Sequence, residues 1–449
     1  MFERENRTSV IARVLRTRLS GLWPVLLAGK LVTCGAVAGE PPLAPAAKAI
    51  EAGDFGGDAV KRAQLKQYLP PPEPHPFGRR EHLVLRLDGE KKPSVRHATM
   101  QWVSQPWNGE NAQMPYLVYL PEKDRVLMMI QCGQPIHTAL TTSADRGETW
   151  SARQWLNVDS AGQPSGVGLG LTHLRAGKLL AFPEDLKTLW TSADYGQTWN
   201  GTPLKEPGPE KYAWDPLLAE RGAGGRIERL AQACWQPTGV AWGSPEASYS
   251  QAYLRSSLDE GQTWGEAARI PQWLGVNEVN MIIAGNGDWV AACRTDYPKR
   301  FAHLQFDHYG GLGISISTDR GKTWSSVKQL YEWGRHHPSM VLLPDQRILM
   351  TYVVRLGYPN TPQGYPQFGV EAIISDDNGR TWDFGHRYVL ATWIGNLKDE
   401  RSWFCSVQST STIRLPDGTL LTAFGTGFNN HAEATKCKMD VALVKWRVQ

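Results

Sequence analysis

Gly311-Leu-Gly-Ile-Ser-Ile-Ser317-Thr-Asp319-Arg-Gly321-Lys-Thr323-Trp324 is the stretch on which the fold turns. Its first half alternates apolar with small residues, the period of a strand. Its second half ends that strand in a turn. Asp319 can accept hydrogen bonds from backbone N–H groups of the turn. Gly321 supplies a positive φ that other residues resist. The Ser317 and Thr323 hydroxyls tie the two strand ends together, and Trp324 packs over the turn. The same S-x-D-x-G-x-T-W pattern occupies Ser143–Trp150, Ser192–Trp199, Ser257–Trp264 and Ser375–Trp382. Its aspartates, Asp145, Asp194, Asp259, Asp319 and Asp377, stand 49, 65, 60 and 58 residues apart. A repeat of that size is one blade of four strands. The five carboxylates therefore read as turn-makers, remote from any chemistry.

A plainer hairpin precedes each turn: Leu117–Met128 around Pro121-Glu-Lys-Asp124, Leu171–Ala181 around Ala176-Gly177, Asn280–Ala291 around Asn286-Gly287, and Met340–Thr351 around Pro344-Asp345. The first strand of the third unit is either Ile227–Ala233 or Gly239–Trp242. A further hairpin, Thr412–Thr422, is followed only by Met439–Val448, so that unit is one strand short. Leu83–Leu87 or Val95–Val103 completes it from the N-terminal side. The expected fold is all-β, a six-bladed β-propeller of four-stranded antiparallel blades spanning residues 82–449.

The 449 residues carry 48 Lys and Arg against 44 Asp and Glu, a net charge of +4, too balanced for a nucleic-acid-binding arm. Cys34, Cys132, Cys234, Cys293, Cys405 and Cys437 are widely spaced and form no CxxC, which argues against a zinc site or a disulfide framework. No metal and no cofactor are expected. Arg4, Arg7, Arg13, Arg16 and Arg18 precede an apolar stretch, Leu22–Ala38, that ends in Ala36-Val37-Ala38. That is the pattern of a signal peptide over residues 1–38 and of export, periplasmic or extracellular. Residues 39–81 read as a Pro-rich leader or spacer. The apolar stretch is shorter than the about 20 residues a spanning helix needs, and Lys30 interrupts it.

Five such turns at blade spacing resemble the Asp-box repeats of the sialidase superfamily, over roughly residues 105–449. The resemblance implies a site at the propeller axis, at one end of the inner strands. It implies three arginines on a sugar carboxylate, a Tyr nucleophile with a Glu as its base, and an Asp as acid/base, an exception to the two-carboxylate scheme. Glu278 and Arg294 are equidistant from Asn286 of the Asn286-Gly287 turn, so a symmetric hairpin makes them cross-strand neighbours, as the family's Glu and second Arg are. Other positions depart from the family. Where sialidases have Phe-Arg-Ile-Pro, this chain has Ala112-Gln113-Met114-Pro115, and Gln113 cannot pair a carboxylate as a charge does. Gln131–His137 lacks the family's Asp, and Cys405-Ser406 stands where Tyr-Ser is expected.

The same hairpin symmetry places His336 opposite Arg355, with His337 alongside; an imidazole there can serve as acid or base. Glu184 and Asp185 end the second blade's second strand at that end, Asp296 and Tyr297 follow Arg294, and Gln408 starts the sixth inner strand. An insertion carries His303, Asp307, His308 and Tyr309, at a spacing that fits no short metal motif. Tyr358, Tyr365 and Trp403 are candidate sugar-stacking platforms. Glu278, His336 and His337 are thus the expected catalytic residues. Arg294, Arg355, Gln113, Asp296, Tyr297 and Gln408 are the expected substrate-binding residues. The function expected is an exported, exo-acting glycoside hydrolase on an acidic or deoxy sugar, with a glycan as partner. A polysaccharide lyase on the same fold and a non-catalytic carbohydrate-binding propeller are the alternatives.

Overall fold

The computed structural model describes residues 79–88, 94–102, 112–133, 135–204, 211–240, 248–296, 310–355, 368–393, 409–426 and 440–448. The chain opens with β1 (Arg79–Asp88) and β2 (Ser94–Trp102). Blade 1 is β3 (Ala112–Leu120), β4 (Arg125–Cys132), β5 (His137–Ser143) and β6 (Gln154–Trp155). A small hairpin, β7 (Asn157–Val158) and β8 (Pro164–Ser165), leads to blade 2: β9 (Leu169–Arg175), β10 (Lys178–Phe182), β11 (Thr188–Ser192) and β12 (Asn200–Pro203). Blade 3 is β13 (Leu218–Arg221), β14 (Ile227–Pro237), β15 (Ser250–Ser257) and β16 (Ala268–Leu274). Blade 4 is β17 (Val276–Ile283), β18 (Trp289–Thr295), β19 (Gly311–Ser317) and β20 (Lys328–Tyr331). Blade 5 is β21 (Arg335–Leu342), β22 (Ile348–Val354), β23 (Phe368–Ser375) and β24 (His386–Trp393). Blade 6 contains β25 (Thr410–Arg414), β26 (Leu420–Thr426) and β27 (Asp440–Trp446).

The missing strand of blade 6 comes from the N-terminal side. β2 pairs with β27, Thr99 opposite Lys445. β1 goes further: it pairs with β2 and also with β24, Leu85 opposite Val389, so one hairpin joins the outer rims of blades 5 and 6. Both strands that the sequence offered as alternatives are used. In blade 3 neither of the two predicted first strands is the inner one. Leu218–Arg221 is, and Ile227–Ala233 lies in the second strand. Its four-residue length gave no alternation to read.

Each blade buries both faces. On β4, Val126, Met128 and Ile130 pack toward blade 6, while Leu127 and Met129 pack toward blade 2. Six apolar clusters result, one at each interface of the ring, and they form the core.

The five S-x-D-x-G-x-T-W turns share one hydrogen-bond plan. In the second, the Ser192 hydroxyl donates to Asp194 at 2.8 Å, and Thr198 N–H and hydroxyl donate to its two oxygens at 2.9 and 2.5 Å. Gly196 N–H donates to Ser192 Oγ at 2.9 Å. The glycine has a second reason to be glycine. In the fifth turn Gly379 has φ +86°, and a Cβ there would sit 2.8 Å from Val290 of blade 4. The turns are therefore contacts between blades. Charges beside them reach the same neighbours: Arg380 to Asp288 at 2.6 Å, Arg320 to Glu220 at 2.6 Å, and Glu260 to Lys178 at 2.8 Å.

Near the axis a second set of bonds closes the ring. A side chain of one blade accepts a backbone N–H from the next. Thr172 takes Leu217 N–H and Asn280 takes that of Met340. Ser339 takes that of Thr412 and Ser411 that of Leu117. At the other two junctions larger titratable groups stand beside the neighbouring backbone, Tyr116 near Gly170 and Asp215 near Val279.

Candidate active site

Inner strands start at the end of the propeller opposite the S-x-D-x-G-x-T-W turns, and three of them start irregularly. The β3–β4, β17–β18 and β21–β22 ladders each slip in register, between Gln113 and Tyr116, Val276 and Val279, and His336 and Ser339. An extra residue at a bulge re-aims the side chains around it. At His337 the backbone is left-handed, φ +48°, ahead of Pro338. Such strain in a residue bearing a Cβ persists only where the surroundings impose it.

Five expected residues come together here. Glu278 is buried, and its two oxygens have different partners. Arg294 Nη1 donates to Oε1 at 2.6 Å, and His337 Nδ1 lies 2.6 Å from Oε2. Arg355, also buried, places Nη2 3.4 Å from His337 Nε2. Burial depresses the His337 pKa against the pull of Glu278, and Arg294 and Arg355 depress it further. His336 is fully buried with its ring centroid 4.6 Å from that of His337.

The pairing of His336 with Arg355 does not occur. His336 lies opposite Val353, and Arg355 N–H bonds Gly334 O at 2.9 Å, one residue beyond β22. The bulge shifts the ladder, so His337 meets the Arg355 side chain instead. Gln113 lies opposite Gln131 and is half-buried. Asp296 turns to blade 3, where it accepts Ser250 Oγ and Tyr249 N–H at 2.8 Å each, so it anchors the start of β15. Asp185 accepts Lys187 N–H in its own turn at 3.1 Å. Tyr297, Gln408, Cys405, Ser406, Tyr358, Tyr365, Trp403, His303, Asp307, His308 and Tyr309 lie outside the described residues.

Sequence reasoning missed Trp214, Asp215 and Tyr116. Solvent reaches only a fraction of Asp215. Burial and then the charge of Glu278 raise its pKa to about 8, against the Val279 N–H and the Asn280 side chain that bond it. The Tyr116 hydroxyl is raised well above its ordinary value by burial, Asp215, Glu278 and Glu184, so Tyr116 stays neutral at any working pH. Gly170 (φ +59°) faces this group, and a Cβ on it would lie 2.6 Å from Asp215 O. Trp214 sits 6.4 Å from His337, ring to ring. One signal was available: Met114-Pro115 and His337-Pro338 lie near the starts of β3 and β21, and Asp215-Pro216 just ahead of β13.

Behind β21 lies a buried ionic network. Glu371 receives the Tyr352 hydroxyl at 2.8 Å and Arg387 Nη1 at 3.3 Å, with Arg335 Nε 3.9 Å away. Arg335 precedes His336 directly, so this network fixes the start of the strand that carries both imidazoles.

Among the described residues, Glu278, His336 and His337 place three ligand atoms within 4.8 Å of one another and are the group that could hold a metal. The guanidinium groups on Glu278 and His337 put positive charge there already, which favours an anion.

No family model matches the chain, and no curated protein does. Solved structures do. A protein of unknown function from Dyadobacter fermentans is 16% identical, with a TM-score of 0.55 over 83% of this chain and 100% of that one. The NanB sialidase of Streptococcus pneumoniae is 14% identical, covering 75% of this chain and 68% of its own, TM-score 0.48. An α-L-arabinanase of Penicillium chrysogenum is 14% identical, covering 81% and 98%, TM-score 0.46. At these identities the likeness concerns the fold, an all-β six-bladed propeller.

Proposed function

We propose that this chain is an exported, glycan-active enzyme, an exo-acting glycoside hydrolase on an acidic or deoxy sugar. The observation that carries the reading is the setting of Glu278, a buried carboxylate gripped on one oxygen by Arg294 and on the other by His337. A carboxylate held so can take a proton from an incoming water or stabilise positive charge at an anomeric carbon. Arg294 and Arg355 supply the fixed positive charge a sugar carboxylate pairs with. The Asp-box resemblance of the repeats points the same way. Glycan as partner and export rest on that resemblance and on the N-terminal pattern.

The test is product release from a panel of aryl glycosides and oligosaccharides of acidic and deoxy sugars. Turnover is expected from the wild type, and Glu278→Gln should lower it by about 10²–10⁴-fold. A panel without turnover, with glycan binding retained in Glu278→Gln, supports the binding propeller instead. A lyase reading rests on His337, which burial keeps in its neutral, basic form. New ultraviolet absorbance in the products would support it, because elimination leaves a double bond.

A further inference from the structure

We propose that the cavity between the outer strands of blade 2 and the third S-x-D-x-G-x-T-W turn is a second binding site, one that takes an acidic sugar. The proposal goes beyond the reading above and stands whether or not the axial site turns anything over.

The cavity holds about 480 Å³. Small-ligand sites run from about 300 to 1,000 Å³. One wall is β11 and β12 with the residues just after them, carrying Thr191 and Thr202, and the other is the third turn, with Gln262, Thr263 and Trp264. Arg255, only 4% exposed, also lines it.

Arg255 is where this blade leaves the repeat. The residue two places before the turn serine is Thr141, Trp190, Ser315 and Ile373 in the other four copies, and none of these is charged. In blades 1 and 4 it is a short hydroxyl spent on its own blade, Thr141 donating to Ser151 O at 2.8 Å and Ser315 to Ser325 O at 2.7 Å. Burying a guanidinium costs desolvation that those residues avoid. Four turns form without it, so its presence in the third points to a use outside the turn.

The guanidinium is held in a fixed plane. Nε donates to Gln232 Oε1 at 2.8 Å, and Cζ lies 4.8 Å from the centre of the Trp264 ring. Trp264 is fixed in turn, its Nε1–H donating to Gly261 O at 3.1 Å and its ring meeting Phe182 edge-on at 5.6 Å. A planar, oriented guanidinium matches the fork of a carboxylate. The remaining groups suit a ring bearing hydroxyls. The Thr263 hydroxyl donates to Asp259 at 2.5 Å and that of Thr191 to Asn200 O at 3.4 Å, so both oxygens can accept from a ligand hydroxyl. Gln262 and Thr202, both exposed, can donate to one. Leu189 and Leu204 offer an apolar patch to the C–H face of a sugar.

The test is titration of the isotope-labelled full chain with galacturonate, followed by nuclear magnetic resonance at the indole N–H of Trp264, which is assigned by its loss in Trp264→Phe. This signal reports on the cavity and needs no turnover. It should move saturably, and Arg255→Gln should weaken the midpoint by about 10–100-fold. Thr202→Glu puts a negative charge on the exposed rim and should also weaken it, which keeps the test open if Arg255→Gln fails to fold. Galactose lacks the carboxylate and acetate lacks the ring, so each should bind more weakly than galacturonate. A signal that does not move, or a midpoint unchanged in Thr202→Glu and in folded Arg255→Gln, would overturn the site. A midpoint that changes only in Glu278→Gln would place the ligand at the axis and overturn it too. Acetate binding as well as galacturonate would overturn the sugar and leave a simple anion.

Discussion

The two ends of this propeller are built on opposite terms. At one end, five turns repeat a single plan: the Ser hydroxyl and the Thr hydroxyl and backbone N–H converge on each Asp, and a glycine meets the neighbouring blade. At the other end the inner strands start differently, with Met114 and His337 in left-handed backbone, Gly170 against Asp215, and Glu278 in a bulge. Polar groups at the first end are satisfied locally, within a few residues. At the second they are satisfied across blades, and carboxylates, imidazoles and guanidinium groups are buried together. Repetition marks where the chain only has to fold, and departure from repetition marks where it has something to bind.

Substitutions at the two ends should separate activity from stability. The largest effect is expected at Glu278→Gln, which should abolish most turnover and, by leaving the buried Arg294 without its counter-charge, also cost about 3–5 kcal/mol in unfolding. Full turnover in the folded variant, with the loss of stability alone, would make Glu278 a structural ion pair and break the contrast. Glu371→Gln comes next. It leaves Arg335 and Arg387 without their buried counter-charge, which should cost about 3–5 kcal/mol in urea unfolding. Because Arg335 precedes His336, this variant should also raise KM. Unchanged kinetics would detach the network from the site. Gly379→Ala belongs to the repeating end. Its positive φ and the nearby Val290 should cost about 2 kcal/mol, with kcat/KM unchanged.

The smallest effect is one of pH, and it has opposite signs at the two ends. Hydrogen bonds hold Asp145, Asp259 and Asp319 at about 2 in the folded chain, below the ordinary carboxylate value. Their stabilisation is complete above pH about 4 and is lost as pH falls toward 2. Asp215 is raised to about 8, so the folded state holds a proton that the unfolded state has released. Its contribution falls as pH rises from about 4 to 8. Unfolding midpoints across pH 2 to 9 should therefore show an acid loss common to wild type and Asp215→Asn, and a decline between about 4 and 8 that Asp215→Asn lacks. An identical pH profile for the two proteins would remove the sign difference.

Much of the fold was legible because its information is local. Ser317 to Trp324 contains every partner its turn needs, so eight residues specify it and four more copies count the blades. The Glu278–Arg294 contact was legible for the same reason, since the short turn between Ala284 and Asp288 fixes the register of its hairpin. The His336–Arg355 pairing failed because the ladder next to the turn, Leu342 opposite Ile348, already runs one residue off the assumed symmetry and the bulge shifts it one more. Asp215 was missed because it precedes a strand of only four residues, and its raised pKa comes from groups distant in the chain.

By itself the sequence determined the blade count, the turns and one buried ion pair, because each depends on residues close together along the chain. The tertiary structure decided which hairpin closes the ring, that His337 and not His336 reaches Arg355, and that Asp215 stands beside Glu278. Those outcomes depend on how six inner strands slip against one another at the axis, and no stretch of sequence contains more than one of them.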